Sequence, residues 1–259
     1  YSEIVEQASI DEFYFDLSFL KTYKKAESVC EKIKEEIRKK EKITCSVGIG
    51  PNKLISKIAA GINKPDGMLL IKEKDIPNFL NPLKIREIPG IGPKTAEFFY
   101  DINVQTVKDL NKFTKKELEQ MLGKQGLRIY WSARGIDDAP VTEYYEVKSI
   151  GEQTTFNKNT LEFAFIFDAF RELSGNVFKR FTKSEFYKFN TITITIRFAD
   201  FETKTSSKSF KGGIGKKDKK RFNIEVLKLF LPFLDRRRNP KRKSIRLIGV
   251  RVERLNKDL

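Results

Sequence analysis

Asp11 and Glu12 stand side by side in the stretch Ala8-Ser9-Ile10-Asp11-Glu12-Phe13-Tyr14. On a flat strand neighbouring side chains point to opposite faces, so two adjacent carboxylates act on one ligand only where the chain bends. The runs Glu3 to Ser9 and Phe13 to Leu17 read as two short extended segments, which puts the pair at the polar tip between them. Oxygen donors of this kind suit a hard divalent ion, Mg²⁺ above all, which takes one or two carboxylates together with substrate phosphate. The chain has no histidine and two cysteines, Cys30 and Cys45. That excludes a His/Cys zinc site and any Ser–His or Cys–His nucleophile pair, leaving Asp, Glu, Lys or Tyr for acid–base or metal chemistry. An acidic pair at a turn is also ordinary solvated surface, and alone it does not decide between the two.

Lys64 precedes Pro65-Asp66-Gly67 at the end of a capped helix, where a loop would hold its ammonium in place for a polyphosphate. An exposed lysine with no ligand has the same surroundings. Pro89-Gly90-Ile91-Gly92-Pro93-Lys94-Thr95 says more. Gly90 and Gly92 permit close backbone approach, and Pro93 sits where a helix should begin, so the N–H groups of Lys94 and Thr95 face outward at the positive end of the dipole. That is the logic of a helix-hairpin-helix, which grips a nucleic-acid phosphate without reading sequence; a tight helix–helix turn is the plainer alternative. Gly212-Gly213-Ile214-Gly215 leads into Lys216, Lys217, Lys219, Lys220 and Arg221, and seven of the eleven residues from Arg236 to Arg246 are Lys or Arg. Runs like these are commonly solvated faces.

The elements that must position these residues fall into three groups. Residues 22–41 have helical spacing (Ala26, Val29, Cys30, Ile33, Ile37), 42–50 form a β-branched run, Asn52 suits the N-cap of a helix with Leu54, Ile55, Ile58, Ala59 and Ile62, and Met68 to Ile71 is a short strand. Together they predict an α/β layer. From about residue 72 short helices replace the β pattern, and 137–148 reads as a linker. In the last segment Val147 to Phe156 is extended, and Thr160 is expected to cap a helix with the stripe Phe163, Phe167, Phe170, Leu173 and Val177. Thr191 to Phe198 alternates strictly, with Thr191, Thr193, Thr195 and Arg197 on one face. Lys204 to Phe210 returns beside it, a helix spans about Asp218 to Asp235, and Ile245 to Leu255 closes a β-α-β-β-α-β unit with both helices on one face. The aromatic stripe reads as core. The fold class is α+β, multidomain.

The 259 residues suit two or three modules, and 39% hydrophobic content with 22 Phe fills real cores. No apolar run reaches the roughly 18 residues of a membrane helix, and two cysteines point to a reduced, cytoplasmic setting. The net charge of +16 is lopsided: residues 148–259 hold 27 Lys/Arg against 12 Asp/Glu, while 1–71 hold 12 against 11 and 72–147 hold 12 against 12. A basic excess confined to one module points to a polyanion partner with salt-dependent affinity; a solvated basic face is the bland counterpart.

Four motifs in order resemble the Y-family, lesion-bypass DNA polymerases, nearest to polymerase IV and its archaeal relatives. Ser9-Ile10-Asp11-Glu12, Thr44 to Lys53, Lys57-Ile58-Ala59-Ala60 and Lys64-Pro65-Asp66-Gly67 resemble the palm. Ile88-Pro89-Gly90-Ile91-Gly92 is similar to the thumb, and Lys148-Ser149-Ile150-Gly151-Glu152 and Ile245 to Arg251 are similar to the first and last little-finger strands. The resemblance implies a partial palm over residues 1–71, a small all-helical thumb with the helix-hairpin-helix over 72–138, a linker over 139–147 and a little finger over 148–259. It implies nucleotidyl transfer with two Mg²⁺ ions: Asp11 and Glu12 as catalytic, metal-side carboxylates, Lys64 on the incoming deoxynucleoside triphosphate, and Lys57 near DNA. Primer-template DNA would lie against Gly90, Gly92, Lys94 and Thr95 of the thumb. In the little finger it would meet Ser149, Ile150 and Gly151, then Thr193, Thr195 and Arg197, and finally Gly212, Gly213, Lys216 and Arg246. A low-fidelity enzyme without proofreading, acting as a monomer near the nucleoid with a sliding clamp as partner, follows from the same resemblance.

One departure matters. The family's palm has an earlier strand bearing a further metal-binding Asp, then a fingers domain, and no matching motif is found here; Glu3 and Glu6 fall outside any motif. The chain starts at Tyr1 and reads as clipped. The second carboxylate set is therefore expected to be incomplete and the isolated chain inactive. Two rival readings stay open: a non-catalytic DNA-binding remnant, and a helix-hairpin-helix glycosylase or nuclease, against which the β-rich segments stand.

Overall fold

Strand β1 (Val5–Gln7) turns back on β2 (Phe13–Phe15) as an antiparallel hairpin, Val5 opposite Phe15 and Gln7 opposite Phe13. The computed structural model describes residues 1–144, 146–235 and 237–257, and the chain separates into two compact units, Tyr1–Tyr145 and Glu146–Leu259. In the first unit, Thr22 caps helix α1 (Tyr23–Glu41) by accepting a hydrogen bond from the Lys25 N–H. Arg38, Lys39 and Lys40 occupy its last turn, where cations complement the helix dipole. Strand β3 (Val47–Ile49), helix α2 (Lys53–Ile62) and strand β4 (Met68–Leu70) make a parallel crossover, with Asn52 accepting from the Ile55 N–H at 2.9 Å as the cap of α2. Gly48 is required here: a Cβ would sit 1.9 Å from the Ser56 carbonyl oxygen, because strand and helix touch backbone to backbone.

The expected single α/β layer is two separate two-stranded ladders among the described residues, β1–β2 and β3–β4. Helix α1 runs to Glu41 and Lys42 takes a left-handed conformation, so of the run 42–50 only Val47–Ile49 reaches a partner. Five short helices follow: α3 (Ile76–Leu80), α4 (Pro93–Asp101), α5 (Val107–Leu110), α6 (Lys115–Leu122) and α7 (Lys124–Ala133). Thr106 with Asp109, and Thr114 with Glu117, close reciprocal capping boxes that start α5 and α6. One apolar cluster runs from Leu54 and Ile55 of α2 through Phe99 and Leu118 to Ala133, so α2 and the short helices share a core.

The second unit is β5 (Ser149–Thr160), α8 (Phe163–Lys183), β6 (Lys188–Phe198), β7 (Thr203–Gly215), α9 (Lys219–Phe230) and β8 (Ile245–Asn256). Its antiparallel sheet has the order β5-β8-β6-β7. Ile192, Ile194, Ile196 and Phe198 are fully buried, packed in one cluster with side chains of both helices. Phe170 of α8 stacks on Phe230 of α9 with ring centroids 3.6 Å apart, and each such buried ring contributes about 1.5–3 kcal/mol by leaving water. Thr160 ends β5 and accepts from the Glu162 N–H at 3.0 Å rather than capping α8, whose N-cap is Glu162. The buried stripe is Ile166, Phe170, Leu173, Val177 and Phe181; Phe163 is 55% exposed, one turn beyond the sheet's reach. Gly212 to Gly215 lie inside β7 rather than in a loop. Helix α9 stops at Phe230 because Leu231–Phe233, with Pro232, tightens into a 3-10 turn. No helix among the described residues is long and apolar enough to cross a membrane.

Candidate active site and nucleic-acid interface

The acidic tip is a turn closed by the Ala8 and Ser9 N–H groups donating to the Glu12 carbonyl, at 2.9 and 3.2 Å. Asp11 is exposed and accepts from the Ser9 hydroxyl at 2.7 Å. Glu12 accepts from the Lys57 ammonium of α2 at 2.6 Å, which brings two of the expected site residues together. That bond pushes the Lys57 pKa up, against a smaller opposing effect of burial. Asp11 and Glu12 supply hard oxygen donors on an accessible tip, the donor chemistry Mg²⁺ takes. Among the described residues no group of three or more His, Cys, Asp or Glu side chains converges on a metal position.

Below the tip, Lys53 donates to both Glu6 oxygens at 2.9 and 3.0 Å, and the Thr142 N–H adds a third donor at 3.0 Å. Both side chains are largely buried. Burial pushes the Glu6 carboxyl up, but the lysine and the amide outweigh it and hold the group below its ordinary value. The first turn of α2 is tied to the segment after α7 as well: Leu54 N–H donates to Asp137 at 3.1 Å and Asn52 donates to the Gly135 carbonyl at 2.8 Å. Lys64 is exposed in the turn between α2 and β4. Lys34 of α1 fixes that turn. Its ammonium, on a side chain only 14% exposed, donates to Asp66 Oδ1 at 2.7 Å and to the carbonyls of Asp66 at 2.9 Å and Gly67 at 3.3 Å.

In the thumb-like segment, Gly90 has φ +93°, open to glycine without strain, and its carbonyl accepts from the Gln125 side chain of α7 at 2.8 Å. Gly92 is the N-cap of α4 without a side-chain cap, and Pro93 takes the first helical position. Gly92 and Lys94 are exposed and Thr95 half-buried, so the N–H groups opening α4 point at solvent.

Strand pairing fixes the sheet face turned away from the two helices. Ser149, Glu253, Thr191 and Ser209 form one rung, and Gly151, Arg251, Thr193 and Ser207 the next. Gln153, Gly249, Thr195 and Thr205, then Thr155, Leu247, Arg197 and Thr203, complete it. This face is rich in short hydroxyls and carries two cations, Arg197 and Arg251, the second paired with Glu253 at 3.1 Å. The residues expected to contact DNA are not all turned to solvent. Thr193 is 4% exposed, and its hydroxyl is used internally by Glu253 at 2.7 Å and Ser207 at 2.9 Å. Ile150 is paired with Val252 and packs against the helical side of the sheet. Gly213 is buried in β7, where its neighbour Gly212 is exposed. Lys216 donates to the Ser184 carbonyl at 2.7 Å, and Arg246 lies over the Phe201 ring. Lys204 and Lys208 alternate to the helical side, Lys208 binding Glu225 of α9 at 2.5 Å. The positive excess therefore gathers mainly around the sheet rather than on its hydroxyl face; Arg236 of the basic run lies outside the described residues.

Three family models match the chain: the impB/mucB/samB family over residues 1–61, the thumb domain of DNA polymerase iota over 86–137, and the C-terminal domain of the impB/mucB/samB family over 147–258. DNA polymerase IV 2 of Methanosarcina mazei is 36% identical over 98% of this chain and 67% of its own length. The chain belongs to the Y family of DNA polymerases, in its polymerase IV branch. DNA polymerase IV of Leptospira interrogans is 33% identical over the whole chain and 71% of the relative. Among solved structures, a Y-family polymerase chimera, Dbh-Dpo4(243-245)-Dbh, superposes with a TM-score of 0.82 at 30% identity, over 98% of this chain and 72% of that one. An insertion ternary complex of Dbh DNA polymerase gives 0.58 at 29% identity, over 99% of this chain and 72% of that one. The family is one of DNA-directed DNA polymerases, so the glycosylase reading falls.

Sequence reasoning about this Y-family chain passed over Lys34, Lys53 with Glu6, and Gln125. Lys34 lies four residues after buried Cys30, on the inner face of α1, and that spacing was the available signal. Glu6 lies outside any motif, yet its place on β1 opposite Tyr14 brings it to the ring against which Lys53 packs, 5.6 Å from the centroid. Gln125 and Gly90 are 35 positions apart, and nothing local announces their bond.

Proposed function

We propose that this chain carries out template-directed nucleotide addition across damaged bases, with Asp11 and Glu12 as metal-side carboxylates, Lys64 on the triphosphate, and Lys57 beside the DNA. The observation that carries the reading is the pairing of the acidic tip with α2: Glu12 and Lys57 meet at 2.6 Å while Asp11 stays open to solvent. Bound Mg²⁺ would neutralise charge developing on the transferred phosphoryl group. The chain's own part is to present two oxygens at the tip, to hold an ammonium at Lys64 through Lys34 and Asp66, and to grip duplex phosphates at the start of α4 and on the little-finger sheet. Two carboxylates are fewer than two ions require, so the 259-residue chain alone is proposed to bind primer-template and nucleotide yet extend primers negligibly. Low fidelity without proofreading, and a sliding clamp as partner, are proposed on family grounds.

A second reading, DNA binding without chemistry, draws on the same ion pair, since Glu12 is already satisfied by Lys57. One titration separates them. Nucleotide is titrated into the chain on primer-template with and without Mg²⁺. The polymerase reading expects Mg²⁺-dependent affinity that Asp11→Ala lowers at least about tenfold, roughly 1.4 kcal/mol. Nucleotide binding that ignores both Mg²⁺ and Asp11 favours the remnant. Primer extension at the ordinary enzymatic rate of about 1–10³ per second would overturn the incomplete site.

A further inference from the structure

The β6–β7 hairpin turns through Ala199, Asp200, Phe201 and Glu202, beyond the last rung of the hydroxyl-rich face, where Arg197 pairs with Thr203. Phe201 has φ +65°, a left-handed conformation that a bulky side chain keeps only where its surroundings enforce it. They do so here. The Phe201 N–H donates to the Phe198 carbonyl at 3.0 Å, Phe198 N–H to the Glu202 carbonyl at 2.9 Å, and Ala199 N–H to the Ser244 carbonyl at 2.9 Å. Glu202 N–H donates to Asp200 Oδ1 at 3.1 Å, and the Lys243 ammonium bridges the two carboxylates, binding Asp200 and meeting Glu202 at 2.6 Å. The tip is thus pinned on several sides, yet what it presents is a phenylalanine that remains 65% exposed. Burial does not account for a phenylalanine there. Glycine or asparagine would hold the same turn without the conformational penalty.

The Arg246 guanidinium lies over the Phe201 ring at 4.8 Å from its centroid, reaching in from the start of β8. A flat ring held still, with the Arg246 guanidinium on it and Arg197 in the last rung before the turn, has the chemistry by which proteins take up single-stranded nucleic acid: the aromatic face stacks on a base of any identity while the guanidinium groups meet its phosphates. We propose that Phe201, steadied by Arg246, is a stacking platform for an unpaired base of DNA, outside the duplex held by the sheet. This deepens the DNA-binding reading above and rests on it. The cation–ring pair alone does not require the strained backbone; a platform that must project a ring from a fixed tip does.

The test uses the full 259-residue chain and primer-templates carrying 2-aminopurine singly at each unpaired template position, beside a blunt duplex of the same paired length. Stacking quenches 2-aminopurine. The expected result is quenching at one or two adjacent unpaired positions. Phe201→Ala abolishes it and weakens binding of the overhang substrate about tenfold, within the range for a single stacked base, while the blunt duplex is bound as before. Phe201→Trp keeps both signals. Phe201→Gly, freed of the left-handed penalty, melts no lower than the parent, so loss of quenching in the variants is not loss of the fold. The platform is overturned if Phe201→Ala quenches and binds like the parent, or if it weakens blunt and overhang substrates equally. Should the parent chain bind neither substrate, the DNA-binding reading falls with it, a failure recognisable because it needs no variant.

Discussion

The acidic hairpin and the little-finger sheet solve opposite problems. Around the hairpin a few charged groups are spent on one another: Lys53 on Glu6 and Lys34 on Asp66 largely out of solvent, Lys57 on Glu12 at the surface. These pairs position backbone, while Asp11 is left open to solvent at the tip beside Glu12. The sheet keeps its outward face nearly neutral, with hydroxyls in rungs, and carries its cations on the flanks and the α9 side. Chemistry at a point requires a few groups held within tenths of an ångström; adhesion to a long polyanion requires many weak contacts and a field.

The sharpest way to break that comparison is to remove one side of it. The two units have separate cores, so a chain ending before Glu146 retains its own apolar cluster. It is expected to lose primer-template affinity by more than about a hundredfold at 50 mM salt, as a surface making several phosphate contacts disappears. Fluorescence anisotropy over a salt series measures this: the parent's log affinity falls steeply with log salt, and the shortened chain's does not. Equal slopes would place the polyanion surface in the first unit.

A smaller effect is expected at Lys34. Hydrogen bonding from Lys34 is the first cause holding the Asp66 carboxyl below its ordinary 3.8, with Arg38 assisting and burial opposing. A lowered folded-state pKa gives stability that is present above the unfolded value and is lost as pH falls through the folded one. The parent should therefore lose melting temperature as acid is taken below about pH 4. Lys34→Met takes away the ammonium that binds the Asp66 carbonyl and carboxylate, should melt several degrees lower at neutral pH, and should show a shallower loss in acid. It should also weaken Mg²⁺-dependent nucleotide binding, since the turn bearing Lys64 is released. Unchanged nucleotide affinity in a destabilised variant would separate the turn from the site.

What could be read from the sequence divides along the same line. Local patterns were legible. Asn52 caps the helix that follows it, and the strict alternation of Thr191 to Phe198 gives a strand with one face fully buried. The motif order led to the Y family. What sequence does not reveal is long-range pairing: Lys34 and Asp66 are 32 positions apart, and the phase of the aromatic stripe on α8 depends on where the sheet lies, which moved it from Phe163 to Ile166. Thr193 illustrates the same limit. Alternation places a hydroxyl on a face, but it does not say that Glu253, 60 positions later, already holds it.

Thr193 also yields the smallest of the expected effects and the one that distinguishes structure from recognition. Thr193→Val keeps the shape and removes the hydroxyl, leaving Glu253 with Arg251 alone at 3.1 Å. Loss of the bond from Thr193, itself only 4% exposed, to the Glu253 carboxylate should cost about 1.5 kcal/mol of unfolding free energy, read by denaturant titration. Duplex affinity should change by less than about threefold, because the hydroxyl is turned to its neighbours rather than outward. The opposite outcome, an unchanged unfolding midpoint with a large loss of affinity, would mean that DNA draws Thr193 away from Glu253 on binding. The hydroxyl rungs would then be a reading surface rather than the mortar of the sheet.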